Sequence, residues 1–413
     1  MTLYHATPLE AYQFTDEGLL RDLTAGDRKH RPFSASSSGT WLHCAHSVLP
    51  PPMGRRPSGP AAQEGTAAHL LLSWILTHKM LGAKPPIPKQ VQAGTYRLDV
   101  DRELLQIFAA QAPLWNDADQ VWSEQTVTPF PSVSDQCGGT ADLITWTEAT
   151  ETLHVIDFKY GRSFVDPHNN TQLLLYAMGA IRLLGQRPKL IRMSIWQPRI
   201  PIRAGERGPV LTWDIEPDRF KERITPLLVA LQQAKKEPTQ MLTGTWCRWC
   251  DHKPTCKAFQ SRITELRQSA EGPAPPTPAT LSQWGEWLPA IRNWLKQMET
   301  AVREALDQGV ELESVKLVAG AGKRTWAVDT QILLERIQQT RPGIGLRDLY
   351  QLRSPAQIEN LLGTGHREIL QDLISRGPPA RWLVPSSDPR PPISRAGEEF
   401  DVDSTTEEFQ THE

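Results

Sequence analysis

Cysteine is scarce in this chain, with five residues in 413. Residues 1–31 are polar and mixed, without the charged-then-apolar pattern of an export signal, so the few cysteines argue against a disulfide framework. No apolar run reaches the eighteen or so residues of a membrane span. The expectation is therefore a protein of the cytoplasm that meets no membrane. Neither sign of charge is in surplus: 45 Lys and Arg stand against 47 Asp and Glu, a net charge of −2. That balance hides an asymmetry, because residues 386–413 hold eight acidic and two basic side chains, or −6, which leaves +4 for the rest. The acidic tail, with Glu398, Glu399, Asp401 and Asp403, is expected to be disordered. At 39% hydrophobic, the remainder has ample material for two or three domains.

What is present is clustered. Three of the five cysteines form Cys247-x2-Cys250-x5-Cys256 in a polar loop with Trp246, Trp249 and Pro254. Such spacing points to a soft metal. A fourth ligand is needed. Zinc, held by the three with Cys44, in Trp41-Leu42-His43-Cys44, or with His252, is one candidate occupant. Cys137 reads as a small buried residue.

The second constellation is acidic. Asp157-Phe158-Lys159 follows Gly138-Gly139-Thr140-Ala141-Asp142, and between them lie a turn-rich stretch, 147–151, and the alternating Leu153-His154-Val155-Ile156. This predicts a hairpin with Asp142 at the start of one strand and Asp157 near the end of its neighbour. Paired carboxylates suit Mg²⁺ or Mn²⁺, and Lys159, two residues on, falls on the face of Asp157. Phosphodiester hydrolysis needs such a set: a cation on the phosphate, an activated water and a positive group near the developing charge. Glu64-Gly65-Thr66-Ala67-Ala68-His69 opens an apolar helix with Glu64 in its first turn, and makes His69 a third ligand candidate. A further helix over 169–184 carries Gln172 and Tyr176 at i and i+4, a polar face that could touch DNA.

In this order the motifs resemble the RecB-like branch of the PD-(D/E)XK nucleases: a histidine on an early helix, G-G-T-A-D, D-F-K and Q-x3-Y. The resemblance implies a restriction-endonuclease-like α/β core, a mixed sheet flanked by helices. It assigns His69, Asp142 and Asp157, with a backbone carbonyl near Phe158, to the metal, Asp142, Asp157 and Lys159 to catalysis, and Gln172 and Tyr176 to the substrate. Asp157 stands where many relatives carry Glu. Certain RecB-like exonucleases hold a [4Fe-4S] cluster with one cysteine before the core and three after it, which matches Cys44 with Cys247, Cys250 and Cys256. The wider pattern is similar to an uncharacterised family of phage and prophage proteins. It implies a DNA exonuclease acting on linear or single-stranded DNA in the bacterial host, with a phage recombination or single-strand-binding protein as partner. A structure-selective endonuclease and a non-catalytic DNA-binding recombination module are the alternatives, and oligomeric state is left open.

The breaks in composition divide the chain into an N-terminal arm with the first cluster cysteine (1–63), the nuclease core (64–240), the cysteine loop (241–270) and a Pro-rich linker (271–280). A mainly helical accessory α+β domain (281–385) and the acidic tail (386–413) follow. Ser36 or Ser37 is expected to cap a short helix before Cys44. Residues 281–308 read as an amphipathic helix, kinked or restarted at Pro289, followed by helices over 331–340 and 354–362. Residues 315–326 read as a basic hairpin in which Lys316, Lys323, Arg324 and Trp326 form an accessory nucleic-acid surface.

Overall fold

Runs rich in Val, Ile, Thr and Trp, broken by Gly, Pro and Asp, set the strands. In chain order they are β1 (Leu3–His5), β2 (Tyr12–Phe14), β3 (Leu19–Asp22), β4 (Phe33–Ser34), β5 (Gln90–Ala93), β6 (Tyr96–Asp99), β7 (Gln120–Val127), β8 (Cys137–Thr147), β9 (Thr152–Phe158), β10 (Leu190–Trp196) and β11 (Val210–Ile215). The helices among and after them are α1 (Ser38–Trp41), α2 (Pro60–Met80), α3 (Arg102–Ala110), α4 (Pro113–Asn116), α5 (Thr171–Leu184), α6 (Pro217–Lys236), α7 (Lys257–Ala270) and α8 (Pro278–Asp307). The computed structural model describes residues 3–5, 8–23, 31–52, 58–110, 113–161, 163–199, 209–271, 275–319, 324–341, 343–344, 358, 373–376 and 381–385. Two compact units emerge, Met1–Trp294 and Leu295–Glu413, and the division falls inside α8 rather than in the Pro-rich segment before it.

The first unit is built on a mixed sheet in the order β1-β7-β8-β9-β10-β11, with β4 added beside β8. β7, β8 and β9 form an antiparallel meander, whereas β9 and β10 run parallel and are joined through α5. Alternation along β9 divides its side chains between two cores. Leu153 and Val155 face α5 and α6 with Leu173, Leu174, Phe220 and Leu231, and Ile156 and Phe158 face α2 and α3 with Leu71, Trp74, Leu104 and Phe108. The hairpin expected around 147–151 is present, turning through Glu151 in the left-handed conformation.

Several expectations need revision. The described segments at the start of the expected arm over 1–63 are packed into sheets: β1 joins the main sheet, and β2 and β3 join β5 and β6 in a four-stranded sheet. The cause is apolar content, since Leu20 is fully buried there and the Tyr12 hydroxyl sits 2.6 Å from Ser73 Oγ on α2. α2 starts at Pro60, so Glu64 lies in its second turn. Ser34, not Ser36 or Ser37, provides the cap before Cys44, accepting from the Ser37 N–H. α8 runs through Pro289 as one element.

In the second unit β12 (Val315–Ala319) pairs with β15 (Arg381–Pro385), and β13 (Arg324–Trp326) pairs with β14 (Ile374–Arg376). The predicted 315–326 hairpin is therefore not formed. Trp326 and Ile374 pack together against Leu333, Leu334 and Ile337 of α9 (Thr330–Thr340), which makes β14 the better partner for β13. Trp326 accordingly serves the core rather than an open surface. Lys323, the tail 386–413 and, apart from Ile358, the helix expected over 354–362 lie outside the described residues.

Candidate metal centre

The site forms where the β7-β8-β9 meander meets α2 and α5. Gly138, the second residue of β8, has φ +126°, and a Cβ there would stand 2.1 Å from the Val127 carbonyl oxygen, so the first glycine of G-G-T-A-D lets β8 pass close to the end of β7. Asp142 lies in mid-strand rather than at the strand start. Leu143 pairs with Ile156, so Asp142 and Asp157 face each other one step beyond that pair.

The two carboxylates are held differently. Asp142 Oδ1 lies 3.1 Å from His69 Nδ1, and its Oδ2 accepts from the Phe158 backbone N–H at 2.7 Å. Asp157 is buried, with Oδ2 2.8 Å from Lys159 Nζ and Oδ1 accepting from Gln172 Nε2 at 2.9 Å. Lys159 Nζ also donates to Gln172 Oε1 at 3.3 Å. The Asn170 side chain caps α5 by accepting from the Gln172 and Leu173 N–H groups, which fixes where Gln172 enters.

The electrostatics follow from burial and pairing. Burial pushes the Asp157 carboxyl up, and the charge of Asp142 adds to it against the opposing pull of Lys159, to about 6. Asp142 is less deeply buried, and His69, Lys159 and the Phe158 N–H overcome the burial it has and hold it below the usual carboxylate range. Burial draws His69 down, but Asp142, helped by Glu124, more than offsets this and holds it at about 9. Burial likewise lowers Lys159, and Asp157 and Asp142 together raise it above its ordinary value.

Gln172 and Tyr176 are brought to the site but turned inward. Tyr176 is buried, and its hydroxyl accepts from Gln172 Nε2 at 3.2 Å. Instead of the open DNA-facing pair expected, the two orient Asp157, one directly and one through its neighbour. Sequence reasoning missed Glu124. The register pairs Ser123 with Leu143 and Gln125 with Ala141, so Glu124 stands opposite Asp142, in a left-handed conformation of φ 51° that non-glycine residues seldom adopt. His69, Glu124 and Asp142 offer ligand atoms within 4.8 Å of one another, the only such set of His, Cys, Asp and Glu among the described residues. The signal available was an acidic residue amid the apolar alternation of Gln120–Val127.

These groups suit a hard divalent cation: a carboxylate-rich, partly buried pocket with one imidazole and a strained ligand position. A cavity of about 410 Å³ opens beside them, lined by His69, Glu124, Asp142, Tyr12, Ser73 and Thr140.

The cysteines make a separate centre. Cys44 Sγ accepts from the Leu242 N–H at 3.5 Å and reaches the Gln240 carbonyl at 3.8 Å, which places the N-terminal segment against the loop before Cys247. Burial raises the thiol of Cys250 to about 11 and raises that of Cys247, and both also sense the charge of Cys44. A buried lysine, Lys253, threads the loop and donates to the Arg248 and Cys250 carbonyls at 2.9 and 2.6 Å. No three of the four sulfurs lie within 4.8 Å of one another. Ligands of one tetrahedral zinc stand about 3.8 Å apart, from Zn–S bonds of about 2.3 Å. His252 is engaged elsewhere, with Nε2 3.0 Å from the Leu49 carbonyl. Cys137 is fully buried in the main core, and burial pushes its thiol up to about 12.

Among the described residues, no helix is long and apolar enough to cross a membrane. Residues 30–391, which take in both centres and most of the second unit, match the family described as "Protein of unknown function (DUF2800)", and the chain belongs to that family.

Proposed function

We propose that the chain is a metal-dependent deoxyribonuclease with a RecB-like PD-(D/E)XK core, an exonuclease on linear or single-stranded DNA in phage recombination or processing. The observation that carries this reading is the convergence of His69 on Asp142 and of Lys159 on Asp157, with the two aspartates facing each other on adjacent strands. A bound Mg²⁺ or Mn²⁺ supplies Lewis-acid polarisation of the scissile phosphate and a more acidic water. His69, Asp142 and Asp157 would hold it, with Glu124 as a further carboxylate. Lys159 Nζ, at 2.8 Å from Asp157, keeps a fixed positive charge beside the place where phosphate charge develops. Gln172 fixes the Asp157 carboxylate by its amide, and Tyr176 fixes Gln172.

The four cysteines would hold a [4Fe-4S] cluster that ties the segment around Cys44 to the loop after the core. Its contribution is to folding.

The test is nucleotide release from linear DNA by anaerobically purified protein, with Mg²⁺, with Mn²⁺ and with chelator. Release that requires the cation and spares closed circular DNA is the expected result. Cutting of closed circles would make the protein an endonuclease, and tight DNA binding without any hydrolysis would make it a binding module.

A further inference from the structure

Beside the carboxylate site lies a second cluster that the metal chemistry does not use. Arg199, at the end of β10, lays its guanidinium over the Tyr160 ring, with Cζ 4.5 Å from the ring centroid. Its Nη1 is 2.8 Å from Glu64 Oε2 and donates to the Tyr160 carbonyl at 3.4 Å. The other oxygen of Glu64 accepts from the Tyr96 hydroxyl at 3.4 Å. Both partners of the ion pair are half-buried, at 20% and 24% side-chain exposure, so the guanidinium is held in place rather than left waving.

One edge of that guanidinium is uncommitted. Both of its bonds fall on Nη1, and among the described residues Nε and Nη2 have no hydrogen-bond partner. Neither is a fully buried unsatisfied atom, so the Nε–Nη2 edge keeps access to solvent. That edge is the fork that grips two oxygens of a phosphate. A ring beneath and a carboxylate behind hold it flat and aimed, which lowers the ordering cost of binding. Its place is significant too. Tyr160 follows Lys159 directly, Glu64 precedes His69 by five residues on α2, and the rings of His69, Phe158 and Tyr160 form a chain with centroids 5.1 and 6.0 Å apart.

We propose that Arg199, braced by Tyr160 and Glu64, is a phosphate clamp for the nucleic-acid strand whose scissile bond lies at the carboxylate site. This rests on the nuclease reading for its choice of ligand. Arg199 makes the contact, and Glu64 is a positioning residue that also competes for the guanidinium.

Opposite signs for the two partners test it. Binding of a labelled single-stranded oligonucleotide is followed by fluorescence anisotropy in Ca²⁺ across a salt series, for the intact protein and for Arg199→Ala, Arg199→Lys and Glu64→Gln. Arg199→Ala should weaken binding on the order of tenfold and lower the slope of log affinity against log salt by about 0.7. Arg199→Lys should keep the slope yet lose most of the affinity, since the fork is gone. Glu64→Gln should bind as well as the parent or better. Oligonucleotides with 5′-phosphate and 5′-hydroxyl ends distinguish the source: an equal Arg199→Ala effect on both means a backbone phosphate, and an effect confined to the first means a terminal one. If Glu64→Gln and Arg199→Ala weaken binding alike with the slope unchanged, the pair is a structural brace for α2 and the clamp is refuted. Parent protein that hydrolyses DNA without the clamp signature refutes the clamp alone. The clamp signature without hydrolysis refutes the nuclease reading alone.

Discussion

The carboxylate centre and the cysteine centre are put together in opposite ways. At the first, the side chains hold one another: Asp142 has His69 and the Phe158 N–H, Asp157 has Lys159 and Gln172, and Tyr176 backs Gln172. Those partners sit on two strands and two helices that the two apolar cores fix independently. At the second, Cys44 stands about two hundred residues before Cys247, Cys250 and Cys256. The segment around it meets their loop through neighbours of the cysteines, with Thr40 Oγ1 3.4 Å from the Trp246 carbonyl, His43 stacked on Trp246 and His252 Nε2 3.0 Å from the Leu49 carbonyl, while Cys44 Sγ itself has a long contact from the Leu242 N–H and a longer one to the Gln240 carbonyl. A fold can prepare a site for a cation, or a bound group can complete the fold. Damage to the first kind should cost activity and leave stability, and damage to the second should cost stability first.

That contrast can be broken by experiment. The largest effect is expected from Lys159→Ala, which should lower turnover on the order of 10²- to 10³-fold while the protein remains folded, checked by single-turnover hydrolysis and calorimetry. Cys44→Ser should do the reverse: iron and sulfide content fall, the melting temperature drops by several degrees and activity falls only as folded protein is lost. An unchanged metal content would remove Cys44 from the centre. Gln172→Ala should weaken Mn²⁺ binding by about 10- to 100-fold, because Asp157 loses the amide that orients it; titration calorimetry reads this directly. The smallest effect is expected from Cys137→Ser, which leaves iron content untouched and lowers stability modestly by placing a hydroxyl in an apolar core.

How much of this was legible in the sequence depended on whether the signal was local. The hairpin that joins Asp142 to Asp157 follows from alternation within a few residues, and it forms as read. Glu124 was invisible because its significance arises only when β7 is laid beside β8 and its register puts it opposite Asp142. Gln172 and Tyr176 were found by spacing, but i and i+4 says that two side chains share a face and not whether that face is open, and Tyr176 is buried. The N-terminal segment was underestimated for a related reason: β1 to β3 are three or four residues long, and they are stabilised by Trp122, Ser73 and Val91 far along the chain. The partners of β12 and β13 lie some fifty or more residues downstream, beyond the reach of any hairpin rule.

The account stands most directly on Asp157. The decisive measurement is release of end-labelled nucleotides from linear DNA in Mg²⁺ or Mn²⁺ by the parent protein and by Asp157→Ala, each first checked to be folded and to hold its cysteine-bound metal. The account predicts cation-dependent release by the parent and its loss in the variant, with DNA binding retained. Equal release by both, or release by neither despite intact folding and tight DNA binding, would contradict it.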